Sequence, residues 1–155
     1  MKHFHIAFAA LALLASSSTA RATGGFDCIA GTDTVTFYAS GVLGRGVVTP
    51  IMNFKGHLIL KVPEVAKTSL EFDLSDALLF AWVEDNELRL HLYKEQPEGQ
   101  RPPSVELIMK AASADEDGII YEGSYVLRTQ ALPAEGNAGP GDPIELKGEI
   151  ACGWE

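Results

Sequence analysis

Residues 78–95 read LLFAWVEDNELRLHLYKE, from Leu78 to Glu95, and how this stretch folds decides how the rest of the chain is read. Asp85-Asn86 suits a two-residue hairpin loop, because both residue types tolerate the positive φ such turns need. With the turn there, Val83 lies opposite Leu88, Ala81 opposite Leu90 and Leu79 opposite Leu92, an aliphatic face. The other face sets Trp82 opposite Arg89 and Phe80 opposite His91, with Tyr93 next. Glu84 falls opposite Glu87, a like-charge contact tolerable at an exposed tip. A register slip of one residue exchanges the two faces and carries Trp82 into the core.

The same period-two signal runs outward in both directions. In DTVTFYAS, Val35, Phe37 and Ala39 alternate with Thr34, Thr36, Tyr38 and Ser40. Leu58, Leu60 and Val62 share a face, as do Leu70, Phe72 and Leu74. Ile144, Leu146, Gly148, Ile150 and Cys152 form another inward set, and Phe26 and Cys28 alternate likewise near the start. The segment 104–130 predicts a second hairpin with its tip at Asp115-Glu116-Asp117 and Gly118 in the position that needs positive φ. Val105, Leu107, Met109 and Ala111 then face Leu127, Tyr125, Gly123 and Tyr121, with Gly123 marking a bulge or a close backbone approach. No long helix is read; Val62 to Ser69, which holds Pro63, has room for one short turn.

Gln96–Pro103 and Leu132–Pro143 are Pro- and Gly-rich connections between strand signals of one core, not domain boundaries. Ser40 to Phe54, with glycines at 41, 44 and 46, has no regular pattern. About eight strands with turn signals roughly every 8–12 residues are the spacing of an all-β fold. An antiparallel β-sandwich is the first expectation and a small closed β-barrel the alternative.

At the N-terminus, Lys2 precedes an apolar run from Ile6 to Leu14, and small residues lead to Ala20-Arg21-Ala22. This is the layout of a secretory signal peptide over residues 1–22, cut after Ala22 or, alternatively, after Ala20. The apolar run is shorter than the ~20 residues that span a bilayer. The expected product is one exported domain, residues 23–155, periplasmic or extracellular, with no stable membrane insertion. Two cysteines, Cys28 and Cys152, predict one structural cystine between the first and last strands. They lack the C-x-x-C spacing of a redox pair.

Removing residues 1–22 takes away Lys2 and Arg21 and no acid, leaving 10 basic against 21 acidic residues and a net charge of −11. A nucleic-acid partner needs the opposite field, and anionic membrane surfaces are disfavoured for the same reason. Acidic charge serves solubility first and suits a cationic partner second.

Signals for catalysis are weak. No G-x-S-x-G elbow and no Gly-rich phosphate loop opening a helix are present. Beyond residue 22 the histidines are His57 and His91, without ligand spacing, and no metal or cofactor is expected. The acidic clusters Glu84-Asp85 with Glu87, and Asp115-Glu116-Asp117, fall at hairpin tips, where turn geometry asks for such residues. In architecture alone, an exported acidic β domain with one disulfide resembles several unrelated groups of periplasmic binding or inhibitor modules, and architecture carries little about function.

The candidate partner-binding face is therefore Phe80, Trp82, Arg89, His91 and Tyr93, since Trp, Tyr and Arg are enriched at binding hot spots and aromatic rings also stack on sugars. The leading expectation is a soluble, non-catalytic binding module for a protein or glycan, such as an inhibitor of a cationic secreted protein. The alternatives are an envelope structural or homo-oligomeric protein, with the same face buried in a self-contact, and an enzyme whose site is assembled from distant residues.

Overall fold

A computed structural model describes residues 23–44, 51–65, 68–75, 77–84, 86–98, 100, 102–133 and 141–155, without the side chains at 23, 78, 79 and 84. The leader expected at residues 1–22 and Asp85 of the first turn lie outside the described residues. Every element described is a strand: β1 Thr23–Gly31, β2 Val35–Gly44, β3 Ile51–Leu60, β4 Thr68–Asp73, β5 Leu78–Glu84, β6 Glu87–Glu95, β7 Ser104–Ser113, β8 Ile120–Gln130 and β9 Pro143–Trp154. The nine form one antiparallel sheet in the order β4-β3-β2-β1-β9-β8-β7-β6-β5. The expectation of about eight strands becomes nine among the described residues, and Ser40–Phe54 carries the end of β2 and the start of β3.

Sheet order and chain order agree except at one junction. Strands β1 to β4 make one meander and β5 to β9 another, and they meet where the first strand pairs the last. That junction is short: Phe26 to Ile29 pair Trp154 to Ala151, and Gly25 and Glu155 exchange two further backbone bonds at 3.0 and 2.8 Å. Cys28 and Cys152 are direct partners within it, bonded, with Cα atoms 4.0 Å apart and both side chains buried. The expected cystine therefore joins the expected strands. The edge strands β4 and β5 are consecutive in the chain, so the sheet curls until its edges lie near one another. The Lys94 ammonium of β6 reaches across to the Glu71 carbonyl of β4 at 2.5 Å and lies 5.7 Å from the Phe72 ring centroid.

The concave side of the curl is the core. Phe37, Leu58, Leu60, Leu88, Leu90, Leu92, Leu107, Met109 and Leu127 are almost wholly buried there. Burial of each aliphatic side chain contributes about 1.5–3 kcal/mol. Val62 and Val65 cover one end from a turn closed by the Val65 amide on the Val62 carbonyl, the short turn expected around Pro63.

The β5–β6 register is the one read from the turn: Trp82 pairs Arg89, Phe80 pairs His91 and Val83 pairs Leu88, with Asn86 at φ 63°. The β7–β8 register differs by two residues from the expected one. Leu107 pairs Leu127, Met109 pairs Tyr125 and Ser113 pairs Tyr121. The loop is longer because the Asp115 carboxylate accepts the amides of Ile119 and Ile120, at 2.9 and 3.0 Å, and holds it open. A shift of two leaves every side chain on its expected face. At Gly123 a Cβ would collide with the Lys110 carbonyl and the Ala111 Cα, so the glycine marks a close approach of two backbones. Leu74, expected inward with Leu70 and Phe72, is exposed. The strand stops at Asp73, whose carboxylate accepts the Ser75 amide at 2.7 Å and turns the chain outward. In the illegible stretch, the β2–β3 register slips between Ser40 and Val42, a bulge at Gly41, where the Phe26 ring sits 2.9 Å from the position a Cβ would take.

Because the cystine closes a loop of 124 residues, it restricts the unfolded chain strongly. The Cys28→Ser, Cys152→Ser double variant is expected to lose about 3–5 kcal/mol in chemical denaturation while keeping its far-ultraviolet strand spectrum. A loss below about 1 kcal/mol would mean that the ladder alone holds the meanders together.

Candidate functional site

The outer face of β5–β6 begins with two exposed rings. Edge strand β5 presents Phe80, 53% exposed, and Trp82, 37% exposed, on the convex side. Their alternation with Ala81 and Val83 puts them outward, and no described strand lies beyond β5 to cover them. Val83, on the opposite face, is itself 41% exposed: the aliphatic face of this hairpin is buried on β6, where Leu88, Leu90 and Leu92 lie, but opens at the sheet edge. From Leu78 to Val83 the edge strand carries no charge. Natural edge strands are usually blunted by charge, proline or a bulge.

The polar members of the expected face have partners within the sheet. The Arg89 guanidinium lies 5.8 Å from the Trp82 ring centroid and donates through Nε and Nη2 to Glu87 Oε2 at 3.1 and 2.6 Å. Lys110 Nζ donates to Glu87 Oε1 at 2.8 Å. His91 Nε2 lies 2.8 Å from Glu106 Oε1, with its ring 6.4 Å from that of Phe80. Tyr93 donates its hydroxyl to Glu95 at 2.9 Å, and this bond holds its pKa above the ordinary value. The network continues to Arg128, which bonds Glu106 at 3.3 Å and Glu145 at 3.0 Å, and ends on Lys147, 2.9 Å from Glu145. The ladder thus crosses four strands, β6 to β9.

The sequence reading brought the five face residues together but missed the carboxylates that hold them. Glu87 and Glu145 each bond a cation two residues along their own strand, Arg89 and Lys147, a spacing visible in the sequence, whereas the contacts of Glu87 with Lys110, of Glu106 with His91 and Arg128, and of Glu145 with Arg128 exist only once the β6–β9 registers are fixed. The ladder also resolves the expected like-charge contact at the tip, since two cations flank Glu87.

His57, on β3, is 2.8 Å from Ser69 Oγ and 3.5 Å from Glu71. It belongs to a separate polar row on the other meander. Among the described residues no group of three or more His, Cys, Asp and Glu is placed to hold a metal ion. No helix among them is long and apolar enough to cross a membrane. The cystine is consistent with an oxidising compartment. Comparison with protein families, curated proteins and solved structures finds no match.

Hydrogen bonds from Lys110 and then Arg89 hold the Glu87 carboxyl below its ordinary value of 4.5, and bonds from Lys147 and Arg128 do the same for Glu145. A lowered folded value stabilises the fold above the ordinary value and is lost as pH falls through the lowered one. Acidification below 4.5 is therefore expected to release Arg89 from Glu87 and from its place over Trp82. Arg89 side-chain proton shifts, displaced by the indole ring, should move toward random-coil values in that window, and Glu87→Gln should reproduce the movement at pH 7. Unchanged shifts in both experiments would show that the carboxylate does not position the guanidinium.

Proposed function

We propose that this chain is an exported, soluble, non-catalytic binding module that engages a protein partner through the convex face and free edge of β5. The single observation that carries this reading is the pair of exposed rings, Phe80 and Trp82, on an uncharged edge strand. Truncating an aromatic hot spot of this kind typically weakens binding by about 2 kcal/mol or more. Arg89 and His91 serve chiefly to fix the rings, since each is tied to a carboxylate of its own sheet. The fold reading that accompanies this is an open barrel rather than a sandwich. It is supported by the single sheet, by the short link from Asp73 to Leu78 between the two edges, and by the Lys94–Glu71 contact. In such a barrel β5 is one lip of an open seam, where a partner segment gains both main-chain bonds and ring contacts.

The test is paired and uses the full exported domain. Trp82→Ala is expected to lose the partner captured from an envelope extract by the unaltered protein. Its unfolding free energy should fall by much less than the roughly 3–5 kcal/mol of a core aromatic deletion. A large stability loss would make Trp82 a core residue and end this reading. Size-exclusion chromatography of the unaltered protein separates the homo-oligomer alternative, which requires elution as a dimer or larger that Trp82→Ala converts to monomer.

A further inference from the structure

A second site lies in the middle of the sheet order, where the pairing of β1 with β9 ends. Strand β9 pairs β8 along its whole length, from Gly153 at Ile120 to Pro143 at Gln130. On its other side it pairs β1 only at Ala151–Trp154. From Pro143 to Ile150 that second edge has no strand partner among the described residues. The parting opens a groove of about 530 Å³ between Ile29, Ala30 and Gly31 on one wall and Glu149, Ile150 and Ala151 on the other, with Glu122 and Gly123 at its floor.

Which backbone groups face the groove follows from the junction. Gly25 and Glu155 exchange both their bonds, and the Cys28–Cys152 pair, at 4.0 Å between Cα atoms, is a non-hydrogen-bonded pair. Odd-numbered residues of β9 therefore direct N–H and C=O toward β1. Even-numbered ones face β8, as the Trp154 amide does on the Ile119 carbonyl at 2.8 Å. Continuing the alternation, Glu149 directs its N–H and C=O toward the groove, and Lys147 and Glu145 direct theirs away from β8 along the same β9 edge beyond it.

We propose that this split takes an extended cationic peptide as an added strand, bonded to the free edge of β9 at Glu145, Lys147 and Glu149. Strand addition of this kind draws affinity from main-chain bonds and specificity from alternate side chains. Inward side chains of the added strand meet the half-buried Ile144 and Leu146 and the Cβ-less Gly148; outward ones meet Glu149 and Glu122. Neither Glu149 nor Glu122 has an ion-pair partner among the described residues, in contrast to Glu87, Glu106 and Glu145. A basic side chain opposite Glu149 supplies one. The exposed Ile29, at 59%, adds an apolar wall. A second copy of this chain is the disfavoured occupant, because its own β9 edge brings glutamates to glutamates on a body whose residues 23–155 carry a net charge of −11.

The probe is a fluorescein-labelled nine-residue peptide alternating Val and Lys, titrated against the oxidised domain by anisotropy. Saturable binding that weakens with salt is expected. A Val/Glu peptide, and a Val/Lys peptide N-methylated at alternate residues, should each bind at least tenfold more weakly. On the protein, Lys147→Pro should weaken binding at least tenfold. Its amide points away from β8, so the proline spares the β8 ladder. Glu122→Lys with Glu149→Lys should do the same, and these exposed positions keep the proposal testable if the proline variant fails to fold. No saturable binding of the Val/Lys peptide overturns the proposal. So does equal affinity for the N-methylated peptide, which reduces the interaction to charge alone, or unchanged affinity of a folded variant.

Discussion

The junction of β1 with β9, four residue pairs clamped by Cys28–Cys152, makes two local meanders into one sheet. Each meander is held by hairpin contacts close in sequence. Only the junction spans the chain, and it does so where a cystine removes the most loop-closure entropy from the unfolded state. Its shortness matters as much as its strength. Continued in the same register, Gly31 would stand level with Glu149, so β1 ends there and the β9 edge from Pro143 to Gly148 has no β1 residue beside it. The groove beside Glu149 lies where β1 stops.

The two candidate binding places are both edges, but the sheet treats them differently. Along β6 to β9 the convex face is neutralised internally, with Glu87, Glu106 and Glu145 each held by cations. Exposed ion pairs of this kind contribute little stability one by one. Their value here is positional, since they hold Arg89 over Trp82 and His91 near Phe80. The β5 edge then offers rings without charge, whereas the β9 edge offers main chain beside Glu149, which has no ion-pair partner among the described residues. A partner for the first is selected by ring contacts and one for the second by charge and extended shape.

Much of the local structure was legible because hairpins encode themselves. The β5–β6 register followed from a two-residue turn and two faces that agreed on it, and Asn86 indeed takes positive φ. The β7–β8 register slipped by two because side-chain capping by Asp115 lengthens a loop without changing parity, and parity is all that alternation reports. Leu74 was placed inward because periodicity continues past Asp73 while the chain does not. The glycines from 41 onward hid the end of β2 and the start of β3 because a bulge breaks the period on one strand only. Sheet order was not legible, apart from the cysteine pair that marks its one long-range contact. The five face residues were found together; Glu87 and Glu95, which bond Arg89 and Tyr93, lie on the same strand two residues away, and only Glu106, which bonds His91, comes from a strand whose register periodicity does not supply.

Amide hydrogen exchange along β9 in the free, oxidised domain tests this architecture most directly. If β9 is bonded to β8 alone between Ile144 and Ile150, protection alternates: slow amides at Ile144, Leu146, Gly148 and Ile150, fast ones at Glu145, Lys147 and Glu149. At the junction both sets are slow, because Ala151 and Gly153 bond β1 while Cys152 and Trp154 bond the β8 side. Uniform slow exchange from Ile144 to Ile150 would contradict the account, since it would place a bonded strand where the split is.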